Sequence, residues 1–185
     1  PVMTASVRAQ NAPTPEDTAR NAPDRDLCRI NALAFAAQHG LPEEATIAPF
    51  LHAATLGLFE LEWNVLCPGC GGVLESGTSL KTVDRAEYQC GLCAAGYEAT
   101  LDEMVEVAFT VTPRVRRIAA HDPSTLPVWE YFRQIFWSSS LVLPEEDFVQ
   151  QMERFTIDAM EMGAGEKAQL SLTLPANFLI LFEPV

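Results

Sequence analysis

Two cysteine pairs constrain the fold of this chain more than any other feature. Cys67 and Cys70 are separated by two residues, and Cys90 and Cys93 repeat that spacing after nineteen intervening residues. Two Cys-x-x-Cys turns at this separation can place four sulfurs at the corners of a tetrahedron, which is the geometry of a structural zinc site. The sequence therefore predicts a zinc ribbon over residues 67–100, with these four cysteines as the metal ligands.

Three alternatives compete with zinc at the four cysteines. Two disulfides could form, but no N-terminal apolar signal segment is visible, and a bridge within one pair would close a very small loop. A thioredoxin-type redox motif would use one pair and not two. Iron in a rubredoxin-like cage fits the same spacing and remains the less favoured metal. Four thiolates leave no coordination position for water or substrate, so we expect a structural site and not a catalytic one.

The link between the two cysteine pairs is short and rich in turn residues. Val73 and Leu74 are followed by a Glu-Ser-Gly-Thr sequence at 75–78, then by Leu80 to Val83 and Tyr88. This pattern predicts a hairpin with its turn at 75–78, leading to the second pair.

Composition narrows the functional classes. The 185 residues include 48% apolar residues, enough for a hydrophobic core, and 12 basic against 25 acidic residues give a net charge of −13. Such a charge disfavours contact with nucleic acid or an anionic membrane. No run approaches the roughly 20 apolar residues that a membrane span needs. Four reduced thiols indicate a reducing compartment, so we expect a cytoplasmic protein in which the fifth cysteine, Cys28, is a small core residue.

The N-terminal part divides into a leader and a helical module. Residues 1–23 are rich in Ala, Pro, Asn and Thr and are predicted to be a disordered leader or linker. Residues 24–66 predict helices near 26–39 and 41–58, although Pro49 opposes the second, and then a strand at 59–65. This order resembles a winged-helix module. DNA binding is the alternative function, but the predicted second helix carries no Lys or Arg.

Residues 101–185 predict mixed helix and antiparallel β structure. A strand near 105–111 precedes a basic cluster, Arg114, Arg116 and Arg117, which could pair with carboxylates or contact an anion or partner. Helices are predicted near 127–137 and 145–154. The aromatic residues of the first are expected in the core, with a partner-docking surface as the alternative.

The last thirty residues predict a sandwich-like β meander. Alternating apolar residues suggest strands near 155–161, 167–174 and 178–183, which the two helices could cover. The final strand is apolar on both sides, so it would be central in its sheet or, at an edge, pair with a second copy of the chain or with sequence that follows Val185. The whole chain is thus expected to be an α+β protein.

No catalytic motif is present. The sequence has no Gly-rich phosphate loop, no nucleophile elbow and no His-Glu-x-x-His. His39, His52 and His121 lie far apart along the chain and do not suggest a catalytic set. We therefore expect this chain alone not to be an enzyme.

Several segments resemble a known bacterial domain. They are the run from Leu58 to Gly72 with its Leu-Glu-Trp at 61–63, Ser79 and Leu80, the second cysteine pair, the Val-Glu-Val strand at 105–107, and Gly165 with Glu166. Together they are similar, over about residues 26–183, to a zinc-ribbon-containing domain found upstream of class III adenylate/guanylate cyclase catalytic domains. The resemblance implies a regulatory role in cyclic-nucleotide signalling, with a protein partner or a cyclase domain in cis. It transfers only Cys67, Cys70, Cys90 and Cys93 as functional positions.

Overall fold

The computed structural model describes residues 13–82, 87–98, 104–143, 148–156, 158, 160, 162–169 and 171. It confirms the α+β class, with antiparallel sheets and helices. The chain forms two compact units, Pro1–Val142 and Leu143–Val185. Within the first unit, strands on either side of the cysteine pairs share one sheet, and the predicted divisions at 66 and 100 stay predictions.

The described part of the predicted leader is helical. Helix α1 spans Pro15–Asn21 and begins with a capping box, in which the Thr14 hydroxyl accepts from the Asp17 amide at 3.1 Å. Pro15 occupies the first helical position, where its missing N–H costs nothing. Thr18 and Ala19 are buried, so α1 packs onto the rest of the first unit. Composition suggested a linker here because these small residues carry little hydrophobicity of their own.

The predicted helix at 26–39 is interrupted. A short 3₁₀ turn, Asp24–Leu27, is followed by Arg29 in the left-handed region at φ 52°. Ile30 then exchanges backbone hydrogen bonds with Phe109. Helix α2 begins only at Ala32 and runs to His39, since the Asn31 side chain accepts from two amides of its first turn. The sequence predicted one continuous helix because Leu27 and Ile30 fall at helical spacing with the residues of α2. Both are buried, but Leu27 lies in the 3₁₀ turn and Ile30 in the β-bridge.

Helix α3, Glu43–Thr55, is shorter than the predicted 41–58 and contains Pro49 within it. The helix accommodates the proline because its other turns pack into the core. Phe50 is completely buried and its ring contacts those of Phe59 and Phe109 at 5.6 and 5.3 Å between centroids. This aromatic cluster joins the helices to one face of the sheet.

The main sheet has the order β2-β1-β5, all antiparallel. Strands β1 (Phe59–Leu66) and β5 (Val105–Val111) agree with the predicted strands, and β2 spans Val73–Gly77. The predicted turn at 75–78 is wrong, because these residues continue β2 and pair with β1: Trp63 opposes Gly77 and Val65 opposes Glu75. A separate hairpin is formed by β3 (Glu87–Cys90) and β4 (Ala95–Glu98). Leu80–Thr82 form a 3₁₀ turn where a strand was predicted.

The aromatic segment after β5 is helical but not regular. Helix α4, Val128–Tyr131, widens into a π-helical turn at Phe132–Phe136. Arg29 donates a hydrogen bond to the Ile135 carbonyl and lies 3.6 Å from the Glu62 carboxylate. Burial raises the pKa of Glu62, and the Arg29 charge opposes that rise. A polar layer therefore lies between this segment and the β1–β5 pair.

Helix α5, Phe148–Phe155, belongs to the second unit and corresponds to the helix predicted near 145–154. The strands predicted near 155–161 and 167–174 are not seen among the residues described there. Phe155 instead ends α5, and Gly163 to Glu166 form a turn closed by a hydrogen bond between their backbones. The final predicted strand, 178–183, lies outside the described residues.

Candidate metal centre

Each cysteine pair lies in the turn of a hairpin. Cys67 follows β1 directly, and its amide donates to the Gly72 carbonyl at 2.7 Å while the Gly71 amide donates to the Cys67 carbonyl at 2.8 Å. Gly71 has φ 69°, a conformation that a residue with a side chain would adopt at a cost. In the second hairpin, Cys90 ends β3 and Cys93 precedes β4. Tight turns thus aim all four thiols toward one point.

The four sulfurs form a compact cage. All the Sγ atoms lie within 4.8 Å of one another. Two of the separations join opposite hairpins: Cys67 to Cys93 at 3.8 Å and Cys70 to Cys90 at 3.7 Å. A tetrahedron with metal–sulfur bonds of about 2.3 Å has edges of about 3.8 Å, so these two separations match the edges of a zinc site. A ferrous or ferric ion would use the same four ligands.

Tyr97, which sequence reasoning did not single out, adds a hydrogen bond to this cage. Burial opposes ionisation of Cys67, but hydrogen bonds from the Tyr97 hydroxyl and from the amides of Cys70 and Gly69 outweigh it and lower the Cys67 pKa to about 7. A Cβ on Gly69 would lie 2.8 Å from the Tyr97 hydroxyl oxygen and 3.3 Å from the Cys93 sulfur. The only signal in the sequence was an aromatic residue four positions after Cys93. Its place beside Gly69, in the turn of the first cysteine pair, is visible only in the structure.

The four thiols differ in their surroundings. Cys67 and Cys90 are buried, Cys70 is half-buried and Cys93 is exposed. Burial raises the pKa of Cys70, and the Cys93 amide donates to the Cys90 sulfur at 3.4 Å. A bound cation would offset the cost of ionising the buried thiols. The cage has protein sulfur at all four corners, which suits a structural ion and leaves no position for a reacting molecule.

The predicted basic cluster is divided by the fold. Arg116 pairs with Asp24 at 2.6 Å and donates to the carbonyls of Ala19, Arg20 and Ala22 at the C-terminal end of α1. A guanidinium at a helix C-terminus satisfies carbonyls that lack helical partners. Arg114 and Arg117 are exposed. Arg116 is therefore engaged within the fold, while the other two remain open to solvent.

The histidines and Cys28 do not join the cysteine cage. His121 donates from Nε2 to the Val111 carbonyl at 2.7 Å and accepts from the Ile118 amide, which makes it a structural residue. His39 packs on Phe35, and His52 is exposed. Burial raises the pKa of the Cys28 thiol to about 11, so this cysteine is unreactive near neutral pH.

The fold and the cage define a class: an α+β protein with a four-cysteine site that can bind a metal ion. Within the described residues, no helix is long and apolar enough to cross a membrane. The chain belongs to a family of unknown function, DUF5939, which it matches over residues 2–185. No curated protein and no solved structure matches it.

Proposed function

We propose that this chain is a non-catalytic regulatory or protein-interaction domain whose cysteine cage holds a structural Zn²⁺ ion. The observation that carries the proposal is the cage itself: four sulfurs from two hairpins lie within 4.8 Å of one another and would fill every position of a tetrahedral ion. Such an ion joins two hairpins and performs no reaction. The bound ion would need a reducing compartment such as the cytoplasm to keep its ligands as thiolates.

The regulatory part of the proposal rests on the resemblance to domains that precede class III cyclases. Its supporting argument is chemical: four cysteine ligands would leave no position on a bound ion for a reacting molecule. The domain would then act through contact with a cyclase domain in cis or with another protein. Exposed Arg114 and Arg117 are candidates for that contact.

Metal analysis and an activity assay test the two parts separately. The purified chain should contain about one zinc per chain, and Cys67→Ser should remove it. Incubation of the chain with ATP or GTP and magnesium or manganese should yield no cyclic nucleotide. Free thiols with no bound metal would refute the zinc site, whereas turnover by the chain alone would refute the non-catalytic assignment. Added to a class III cyclase catalytic domain, the zinc-loaded chain should change its turnover, and the Cys67→Ser chain should not.

A further inference from the structure

Residues 136–141, here called the strap, lie against the turn that carries the first cysteine pair. The Ser138 amide donates to the Gly71 carbonyl at 2.9 Å, and Trp137 bridges to Gly72 as in an antiparallel pair. Leu141 packs beside Gly71. The backbone of the strap is therefore bonded directly to the turn between Cys70 and β2.

Phe136 shows how closely the strap approaches a ligand. A Cβ on Gly72 would lie 2.9 Å from the Phe136 ring and 3.3 Å from the Cys70 sulfur. The ring and the sulfur thus share the space beside one glycine, which is buried. A shift of the Cys70 sulfur would also move the Phe136 ring, because close-packed groups transmit such displacements.

The other side of the strap supplies hydrogen bonds to a buried carboxylate. Ser138 and Ser140 donate to Oε2 of Glu106 at 2.7 and 2.5 Å, and Asn31 donates to the same oxygen at 2.9 Å. Glu106 is 6% exposed. Two of the three donors to this oxygen among the described residues therefore come from the strap.

Other buried polar atoms lie next to these hydrogen bonds of Glu106. Asn64 is the cross-strand partner of Glu106 and is fully buried. Neither amide atom of Asn64, nor Oε1 of Glu106, has a hydrogen-bond partner in the part of the chain that the structure describes. Unpartnered buried polar groups cost free energy when they are kept from water. Keeping Asn64 and Glu106 buried under the strap therefore costs free energy. Loss of a contact that holds the strap would favour exposure of these groups to water.

We propose that metal occupancy of the cysteine cage controls the docking of the strap, a proposal that rests on the zinc site proposed above. With the ion bound, Cys70 is fixed, and the turn presents the Gly71 carbonyl and Gly72 to the strap. Without it, the turn keeps only its two backbone hydrogen bonds, so the strap detaches from the turn and from Glu106. Order–disorder of a short segment is a common form of switch. The strap immediately precedes Val142, the last residue of the first unit.

Hydrogen exchange of the full chain, with zinc content measured in parallel, tests this dependence. Chelation should speed exchange of the Ser138 amide at least tenfold and leave the Phe109 amide, bonded to Ile30 at 2.9 Å, unchanged. If zinc leaves and Ser138 stays protected, the docking proposal is wrong while the zinc site stands. A chain that never binds zinc refutes both. Loss of protection at Phe109 as well would show global unfolding and refute a local switch.

A matched pair of glycine variants tests the contact without removing the metal. Gly72→Ala forces the Phe136 ring aside, whereas Gly91→Ala, beside the second pair, meets nothing within 4 Å. At saturating zinc, Gly72→Ala should speed Ser138 exchange several-fold with one ion still bound. Because linkage is reciprocal, it should also bind zinc several-fold more weakly. If Gly72→Ala and Gly91→Ala behave alike, the strap is not coupled to the cage.

Discussion

The two hairpins that form the cage are built on different foundations. The first belongs to the main sheet: β1 is the central strand, and Phe59 and Val65 on it are buried. The second, β3–β4, is a separate two-stranded hairpin of four-residue strands, with Tyr88 and Cys90 buried and with alternate residues exposed. One half of the cage is thus carried by a packed body and the other half by a small appendage.

This difference separates two sources of stability. The body of the first unit buries aromatic and aliphatic side chains from helices and strands around Phe50, Phe59 and Phe109. An isolated two-stranded hairpin is marginal in water, whereas a structural zinc site in a small peptide contributes about 10–16 kcal/mol of folding free energy. Burial therefore folds the body, and the proposed zinc ion would fold the appendage.

Removing one ligand of the appendage should have the largest effect. Cys90→Ser should abolish stable zinc binding and leave the β3–β4 hairpin unprotected, because its remaining apolar contacts, mainly Tyr88 with Val65 and Met104, are few. Amide exchange read residue by residue should show loss of protection across Glu87–Cys90. The Phe109 amide of the body should keep its protection. Cooperative unfolding of both regions would contradict the division.

The converse substitution should damage the body and spare the cage. Phe50→Ala removes a fully buried ring from the aromatic cluster, and such truncations cost about 3–5 kcal/mol. Chemical denaturation of the zinc-bound protein should show that loss, while zinc affinity under native conditions stays within about twofold. Leu51→Ala is a suitable control, because Leu51 is 43% exposed on the same helix. A large fall in zinc affinity for Phe50→Ala would mean that the cage depends on helix packing.

The spacing of the cysteines in the sequence was sufficient to predict that the four sulfurs lie together. Two short Cys-x-x-Cys turns can present four sulfurs to one tetrahedral site in only a few ways. The strands β1 and β5 were also predictable, since Phe59, Leu61 and Val65 alternate with polar residues. The hairpin between the pairs was not. The Glu-Ser-Gly-Thr sequence at 75–78 is typical of a turn, yet Glu75 and Ser76 pair with Val65 and Asn64 in β2. Tertiary pairing here outweighs local turn chemistry.

Other features depended on contacts that no local pattern encodes. Asn31 caps α2 and also donates to Glu106, seventy-five residues away. Because Asn31 is the cap, α2 begins at Ala32, which is later than the predicted start near residue 26. The polar layer of Glu106, Asn64 and the strap lies on strands whose alternation predicted a solvent-facing side. Their alternation with apolar residues predicted that Asn64 and Glu106 face solvent. The sequence pattern does not indicate that residues 136–141 cover them.

Cys28 offers a smaller test of the body, through pH. Burial raises its pKa from the ordinary value of 9.0 to about 11, so the folded state holds the thiol proton more tightly than the unfolded state does. The resulting stability is fully present below pH 9 and is lost as pH rises toward 11, amounting to about 2–3 kcal/mol. Denaturation of the wild type and of Cys28→Ala across pH 8–11 should show a steeper decline for the wild type. Parallel declines would mean that the thiolate is tolerated inside the body.

Tyr97 gives the smallest and most local test, because its hydroxyl joins the appendage to a ligand on the body. Tyr97→Phe removes the hydrogen bond to Cys67 and keeps the ring. Loss of such a second contact to a metal ligand typically lowers affinity 10–100-fold, and at this half-buried position we expect about tenfold, measured by competition with a zinc chelator. Tyr88→Phe is the matched control: it loses a hydrogen bond to Glu75 at 2.7 Å, on the same hairpin but not to sulfur. It should cost about 1 kcal/mol of stability and leave zinc affinity unchanged. If the two variants bind zinc equally, the Tyr97 hydroxyl does not support the cage.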